Sequence, residues 1–554
     1  MTDTTTSDDE SWIDNAPICD VLLTAPPGCG KTEQLARRAG ALVRRGAIKA
    51  PQQILAITFS NKAKANLRSR LEQELGPGFG SYVAVLNFHG LGLRLFRYHA
   101  PLANRRADET LGPQRGSLRA LRRRICEEHG ISFDDLDFAL RAAKGGAYTD
   151  EQVLEALRRT APAGLAYEIA LRAESRLDYD DAIRLGLLIV RHPGIEALYR
   201  RRFVCLLVDE VQDLSKAQFE LISGIGDGRT VFAGDRAQGI YGFAGAAPAS
   251  VYAAIEAREP LKVRLESSYR SAPNVLKVVS AISVGLGGGS ISSAESLAWS
   301  SEGEVVVEKF ANPIDEAHRV LHLVRSWMAD DPHESIGVMV RARHRRETLD
   351  AAVAAAGVPA EIWDFPAHRP GIVDLLTRFV DSSVRCAGEG AAGVEELFLR
   401  CAGALVDDDA ELLDELSEVA DVLIELVEAA LLTEVVAGIR VASDPSSPTS
   451  PGLHLLNGHV GKGQQFDRVI VLGLEDGHIP YYRAKSDDEI KDELSVLHVM
   501  ASRARTTLVF TVCRDVPRNG SPWIRPPSRW LKRLEELSSG WLESEAPRRS
   551  HRTP

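Results

Sequence analysis

The most informative stretch of the sequence is DVLLTAPPGCGKTEQLARRAGALVRR, residues 20–45. Its apolar start predicts a strand, its glycine-rich centre a turn, and its end an amphipathic helix. Glycines in the turn permit backbone angles that aim successive N–H groups at one anion, and the helix N-terminus adds a favourable dipole. The spacing therefore predicts a phosphate-binding loop. The loop residues are Ala25, Pro26, Pro27, Gly28, Cys29, Gly30, Lys31 and Thr32.

The last two loop residues and a later acidic pair predict the chemistry. Lys31 can reach the β and γ phosphates of a nucleotide, and Thr32 can hold Mg²⁺. Asp209, after the apolar run CLLV, can bind Mg²⁺, and Glu210 can deprotonate a water that attacks the γ phosphate. The alternatives are a chance Gly-Lys-Thr in a turn and an acidic pair that only decorates the surface. Because the two features occur together, we expect Mg²⁺-dependent ATP hydrolysis, with ATP and Mg²⁺ as cofactors.

Length and composition limit the class of protein. The chain has 554 residues, enough for several domains, and its net charge of -11 argues against a polybasic nucleic-acid coat, so any DNA contact must use a local patch. No apolar stretch reaches the roughly 18 residues that a membrane span needs, so we expect no membrane contact. The cysteines are dispersed without a Cys-x-x-Cys pair, which favours reduced thiols in a cytoplasmic protein.

Apolar runs recur between helical patterns in two sets, which predicts two α/β cores with parallel sheets covered on both faces. The first set is DVLLTA (20–25), ILAITF (54–59), YVAVL (82–86), VCLLVD (204–209) and TVFAG (230–234). The second set is EVVVEKF (304–310), IGVMV (336–340), RVIVLGL (468–474) and LVFTV (508–512).

Two helical stretches interrupt this alternation and predict one helical insertion in each core. Their charges indicate solvated helix faces more than binding surfaces. The predicted parts are a disordered tail (1–17), a first core (18–112 and 201–258), a first accessory subdomain (113–200), a second core (259–365 and 450–540), a reduced second accessory subdomain (366–449) and a flexible tail (541–554).

Further motifs follow the predicted strands in a fixed order, and that order is more specific than any single block. The blocks are ITFSNKAK (57–64), NFHG (87–90), GDRAQGIYGFAGA (234–246), LESSYRS (265–271), NGHVGKGQQFD (457–467), VMASRAR (499–505) and PSRWLKRL (527–534). With this series the sequence resembles the UvrD/Rep family of superfamily 1 DNA helicases. The resemblance implies two RecA-like P-loop NTPase cores with ATP between them, and single-stranded DNA across both.

The same resemblance implies roles for residues outside the phosphate loop. Gln238 matches the family glutamine that senses the γ phosphate, and Tyr269 the aromatic that stacks on adenine. Arg270 and Arg503 match two arginines that reach the γ phosphate from the second core, although surface or salt-bridged arginines are the alternative. Gln465 stands where the family has a carboxylate near the ribose. The residues implied in DNA binding are Phe59, Asn61, His89, Tyr241, Phe243 and His459.

The sequence departs from the family pattern at four places. No glutamine precedes the phosphate loop, which leaves stacking on Tyr269 as the main adenine contact. Ala244 replaces an arginine, which weakens the expected coupling between ATP and DNA. Gln464-Gln465 replaces Leu-Glu, and the insertion between Arg270 and His459 is short. These departures put strand separation in doubt more than movement along DNA.

We therefore expect an ATP-dependent 3′→5′ DNA helicase or translocase that acts on single-stranded and 3′-tailed duplex DNA in repair, recombination or phage defence. A partner protein such as a nuclease is expected from the compact size. The alternative is a DNA-stimulated ATPase subunit, or a nucleotide-gated DNA-binding protein, without processive unwinding. A small-molecule kinase would leave His459 and Arg503 without a purpose.

Overall fold

The first sheet is built from the apolar runs around the phosphate loop. The computed structural model describes residues 11–59, 61–109, 118–242, 245–294, 299–363, 449–516, 524–538 and 540–541. Strands of the first sheet are β1 (Val21–Thr24), β2 (Gln53–Thr58), β3 (Val83–Asn87), β4 (Phe203–Val208), β5 (Thr230–Gly234) and β6 (Leu261–Arg264). Their order is β3-β2-β4-β5-β1-β6, and every pair is parallel. The carboxyl ends of the strands therefore meet at one edge, where ligands bind in such sheets.

Helices cover both faces of this sheet, because its strands are apolar on both sides. They are α1 (Ser11–Asn15), α2 (Lys31–Arg44), α3 (Asn61–Leu75) and α4 (Phe88–His99). Four more helices, α5 (Leu118–His129), α6 (Phe133–Lys144), α7 (Asp150–Thr160) and α8 (Pro162–Ala173), share a separate apolar core. The chain then returns through α9 (Tyr179–Val190), α10 (Pro193–Arg202), α11 (Lys216–Gly226) and α12 (Pro248–Glu256).

A second parallel sheet follows a short pair of strands, β7 (Ser267–Ser268) and β8 (Ser292–Ser293). Its strands are β9 (Glu304–Phe310), β10 (Ser335–Val340), β11 (Ala360–Ile362), β12 (Gly452–Asn457), β13 (Phe466–Val471), β14 (Ala504–Cys513) and β15 (Gly540–Trp541). They lie in the order β11-β12-β10-β13-β14-β9-β15. The accompanying helices are α13 (Pro273–Gly285), α14 (Pro313–Asp330), α15 (Glu347–Ala355), α16 (Asp487–Ala501) and α17 (Leu531–Leu537). Two parallel-sheet cores confirm the predicted α/β class.

The structure departs from the expected boundaries in three places. Within the stretch expected as a tail, residues 11–17 are ordered: Trp12 and Ile13 are buried, and Arg38 donates hydrogen bonds of 2.7–3.1 Å to four carbonyl oxygens there. Strand β6, placed by sequence in the second core, pairs with β1 of the first. Helices α9 and α10, placed by sequence in the accessory subdomain, pack into the apolar core of the first sheet.

Other expectations fall partly or wholly outside the described residues. These are the tails over 1–10 and 542–554 and nearly all of the second accessory subdomain (366–449). Within the described ranges, no helix combines the length and apolar character that a membrane crossing requires. The cysteines in those ranges are free: Cys19, Cys29, Cys126, Cys205 and Cys513.

Candidate active site at the seam between the cores

The phosphate loop turns between β1 and α2 with two residues in the left-handed region. Gly28 has a φ of 79° and Gly30 a φ of 81°, and Gly30 caps the N-terminus of α2. An L-residue would be strained at both positions. A Cβ on Gly28 would also lie 2.5 Å from Ser268 Oγ. The turn therefore needs glycine for conformation and, at Gly28, for space.

Four side chains meet where this loop faces the end of β4. Lys31 Nζ lies 3.1 Å from Asp209 Oδ1 and 2.7 Å from Glu210 Oε1. Thr32 Oγ1 donates a hydrogen bond of 3.4 Å to Asp209 Oδ2. The structure thus brings together the four residues that sequence analysis assigns to phosphate, metal and water.

Burial and charge act against each other on these groups. Burial disfavours the charged form of Lys31, but Asp209 and Glu210 outweigh it and raise the pKa of Lys31. Burial raises the pKa of Asp209 despite the opposing charge of Lys31. Burial also opposes ionisation of Glu210, but Lys31 and Lys462 outweigh it and lower the pKa of Glu210 to about 2. Glu210 is therefore a carboxylate at neutral pH, the form that accepts a proton.

A chain of buried polar groups joins Glu210 to Gln238. Glu210 accepts a hydrogen bond from Gln212 Nε2, and Gln212 Oε1 accepts one of 3.1 Å from the backbone N–H of Asp235. Asp235 Oδ2 accepts a bond of 2.9 Å from Gln238 Nε2. Glu210 itself has a φ of 57°, which is unusual for a residue other than glycine. Backbone strain of this kind concentrates at functional sites.

The phosphate loop packs directly against the segment that enters the second core, and we call this contact region the seam. Ser268 Oγ donates a hydrogen bond of 3.0 Å to Pro27 O, and the Tyr269 N–H donates one of 3.1 Å to Gly28 O. Tyr269 is 66% exposed, which leaves its ring accessible to a base that stacks on it. Ser271 Oγ then bonds to Ala504 O at 2.5 Å, on the strand that follows Arg503.

The two arginines and Gln465 lie around this seam. Burial lowers the pKa of Arg270, and Gln465 Nε2 donates a hydrogen bond of 3.3 Å to Arg270 O. Arg503 is 1% exposed, and its guanidinium bonds to Val499 O at 2.9 Å, Gln464 O at 3.2 Å and Ser502 Oγ at 2.8 Å. Burial and then the charge of Arg270 lower the pKa of Arg503. The Arg503 guanidinium is therefore buried near the seam and bonded to groups of its own core.

Three of the residues implied in DNA binding form one aromatic cluster across the cores. The rings of Phe59 and Tyr241 stack with centroids 5.1 Å apart, and the His459 ring of the second core lies 6.3 Å from Tyr241. His89 lies apart from this cluster and contacts Tyr179 edge-on at 5.7 Å. Asn61 begins α3, but its side chain, like the whole of Phe243, lies outside the described residues.

The sequence motifs assign no role to Lys462 or Asp213, but the structure joins these two residues across the cores. Lys462 Nζ, in the loop after β12, forms an ion pair with Asp213 of the first core and donates a hydrogen bond of 2.9 Å to Gln238 O. The same ammonium lies 5.1 Å from the centre of the Tyr241 ring. Because 249 residues separate the two partners, no local pattern predicts their pairing. The one signal in the sequence is the position of Lys462 between two glycines, in the block that contains His459.

The residues present fit a magnesium nucleotide. Thr32 and Asp209 offer the oxygen ligands that Mg²⁺ prefers, and their oxygens already lie within hydrogen-bonding distance. The left-handed glycines and the N-terminus of α2 provide N–H groups for phosphate oxygens. A nucleotide held by this loop would contact residues 268–270 as well, because these residues pack on the loop.

Comparison with known proteins agrees with this architecture. Residues 12–257 match the UvrD/REP helicase N-terminal domain, and residues 406–515 match the UvrD-like helicase C-terminal domain. The chain is 26% identical to ATP-dependent DNA helicase UvrD1 of Mycobacterium tuberculosis over 96% of this chain and 85% of that protein. It is 26% identical to UvrD2 of the same organism over 93% and 79%. It is 23% identical to ATP-dependent DNA helicase Rep of Escherichia coli over 94% and 92%.

The described parts of the two matched regions lie on opposite sides of the seam. The first contains the phosphate loop and the acidic pair, and the second contains His459, Lys462 and Arg503. The order of the motifs, the two parallel-sheet cores and both family matches agree. The chain belongs to the UvrD/Rep family of helicases.

Proposed function

We propose that this enzyme, an ATP-dependent DNA helicase by family, couples Mg²⁺-ATP hydrolysis to 3′→5′ movement along single-stranded DNA. The observation that carries the proposal is that the nucleotide site and the aromatic cluster both lie where the two cores meet. Glu210 and the phosphate loop lie at one end of the polar chain and Gln238 lies at the other. Lys462 bonds to Gln238 O and lies 5.1 Å from the ring of Tyr241, which belongs to the aromatic cluster. A change at either end is thus felt through buried hydrogen bonds at the other.

The residues at the seam have distinct parts in the hydrolysis. Lys31 and the loop N–H groups would bind the phosphates, and Thr32 with Asp209 would hold Mg²⁺, which supplies charge neutralisation when bound. Glu210 takes the proton of the attacking water. Arg270 and Arg503 add positive charge from the second core, which stabilises the transferring phosphoryl group most when the cores are closed.

Closure would move DNA because the aromatic cluster belongs to both cores. Phe59 and Tyr241 come from the first core and His459 from the second. Bases inserted between these rings would stack without regard to sequence, each contributing about 1–3 kcal/mol. Opening and closing of the seam then shifts one group of rings relative to the other along the strand.

The finer parts of the proposal come from family resemblance. They are the 3′→5′ direction, the preference for 3′-tailed duplexes, a partner such as a nuclease, and a place in repair, recombination or phage defence. The free cysteines suit a reducing cytoplasm, where we place the enzyme. Relatives that match over most of their own length are named ATP-dependent DNA helicases.

A strand-displacement assay tests the proposal. Blunt, 5′-tailed and 3′-tailed duplexes of the same sequence are incubated with enzyme, Mg²⁺ and ATP, and ATP turnover is followed in parallel. We expect displacement of the 3′-tailed duplex alone. Displacement from the 5′ tail would contradict the direction. DNA-stimulated turnover without any displacement would favour the alternative, an ATPase subunit that does not unwind DNA. The observation that supports this alternative is the hydrogen bond from Gln465, which replaces the family carboxylate, to the backbone carbonyl of Arg270.

A further inference from the structure

We propose that the ion pair between Lys462 and Asp213 is a latch that joins the two cores and restrains ATP turnover. Single-stranded DNA opens this latch, because a phosphate of its backbone binds Lys462 in place of Asp213. The inference rests on the proposed function and adds a regulatory contact to the same site. It gives Lys462 two competing partners, a buried carboxylate of the protein and a phosphate of the DNA backbone.

The latch joins elements that are far apart in the chain. Lys462 belongs to the second core, on the loop between β12 and β13, whereas Asp213 belongs to the short 3₁₀ turn Val211–Asp213 that follows β4. Their side chains are 10% and 1% exposed. The ammonium also bonds to Gln238 O at 2.9 Å, so it holds two different loops of the first core. Breaking this contact removes one buried polar restraint between the two cores.

One end of the latch lies beside the catalytic carboxylate. Asp213 shares its turn with Gln212, whose side chain bonds to Glu210. Lys462 holds this turn through Asp213. Departure of Lys462 would therefore let the turn, and Glu210 with it, adjust to a bound nucleotide, which acts in the direction of faster hydrolysis.

The Lys462 end of the latch lies beside the aromatic cluster that is proposed to bind DNA. The ammonium sits 5.1 Å from the centre of the Tyr241 ring, a distance at which a cation is attracted to the face of a ring. Tyr241 in turn stacks on Phe59 and faces His459. A base that enters between these rings must displace Tyr241, and its backbone brings a phosphate close to Lys462. The strand thus removes one contact of the ammonium and offers a replacement.

A double-mutant cycle on ATP turnover tests the latch. The variants are Lys462→Gln, Asp213→Asn and the double variant, and Lys491→Gln, an exposed lysine on α16, is the matched control. Without DNA, we expect each single variant to raise turnover roughly fivefold or more, within the usual range of coupling between sites. The double variant should add nothing further, and the control should match the parent protein.

The response to DNA separates the latch from other roles of the same residues. Lys462→Gln should raise the half-saturating concentration of oligo-dT, because a phosphate partner is lost, whereas Asp213→Asn should leave it unchanged or lower it. If the ion pair is only structural, both variants should lower the melting temperature without raising ATP turnover. If Lys462 only contacts DNA, Asp213→Asn should leave ATP turnover unchanged. Either result overturns the latch.

The response of the parent protein to DNA distinguishes failure of the proposed function from failure of the latch. If the parent protein is not stimulated by DNA, the proposed function fails. If the parent is stimulated but both single variants keep its DNA-free turnover, only the latch fails. Asp213→Asn preserves side-chain volume, so it provides the test even if Lys462→Gln does not fold.

Discussion

At the scale of single residues, the proposed catalytic centre contains groups in energetically unfavourable states. Glu210 keeps a left-handed backbone conformation, and Lys31 is a buried ammonium between two carboxylates. The sequence predicts the identity of these residues, because the loop and the acidic pair each follow a strand. It does not predict their backbone conformation or their shared burial, which arise from contacts between distant segments.

Changing Glu210→Gln should abolish hydrolysis while leaving nucleotide binding. The amide keeps the size of the side chain but cannot take a proton, so turnover should fall roughly 10²–10⁴-fold. Single-turnover ATP hydrolysis and binding of a fluorescent nucleotide measure the two properties separately. Retention of more than a tenth of the turnover, as a rough bound, would assign the base to another residue.

Gly28→Ala should remove nucleotide binding through geometry alone. The new Cβ would meet Ser268 Oγ at 2.5 Å, and the φ of 79° would be strained for alanine. Equilibrium binding of ATP is the measurement, with Gly46→Ala as a control, since Gly46 also has a positive φ but nothing within 4 Å of an added Cβ. Equal losses in both variants would show that backbone strain, and not the seam contact, is responsible.

At the scale of elements, a buried charge cluster ties the first accessory helices to the core. Lys144 of α6 is fully buried and pairs with Glu168 of α8 and with Asp178 and Asp181 at the start of α9, at 2.8 and 3.0 Å for the two aspartates. The ammonium occupies the position that a metal ion would need among these carboxylates. Lys144→Met should therefore cost roughly 3–5 kcal/mol in the free energy of unfolding, as for other buried pairs that lose one partner.

Glu168 gives this cluster a pH dependence. Burial raises its pKa to about 7, against the opposing charge of Lys144. The folded state then binds this proton more tightly than the unfolded chain, so stability falls as pH rises from the ordinary glutamate pKa toward 7. Denaturant titrations of Glu168→Gln should show a stability difference from the parent that shifts in favour of the variant between pH 5 and pH 8. A pH-independent difference would contradict the assignment.

The elements also show which parts of the fold the sequence predicts. Strands β1–β5, β9, β10, β13 and β14 coincide with apolar runs, since both of their faces are covered. Strand β6 was missed because Lys262 and Arg264 interrupt its apolar pattern at the sheet edge. Strand β12 was missed because it contains His454, which is buried through bonds to Ser450 O and Trp363. A local hydrophobic pattern does not reveal that a polar side chain will be buried by hydrogen bonds to distant residues.

At the scale of the whole molecule, two groups of residues lie where the cores meet: the proposed nucleotide site and the aromatic cluster. The sequence predicts the phosphate-loop residues and the acidic pair from their spacing and the aromatic residues by resemblance, but not that Phe59, Tyr241 and His459 contact one another. Tyr241→Ala should weaken binding of oligo-dT and of a mixed-sequence strand equally, by about 1–3 kcal/mol. Fluorescence anisotropy measures this, and Tyr98→Ala, an exposed tyrosine on α4, serves as control. A loss confined to one sequence would contradict stacking.

If nucleotide chemistry at the seam is coupled to a bound DNA strand, steady-state ATP turnover must respond to single-stranded oligo-dT. We expect turnover to rise roughly tenfold or more at saturating DNA, and the increase to disappear in Arg503→Ala, since that guanidinium is buried at the seam. Identical turnover of the parent protein with and without DNA would contradict the account.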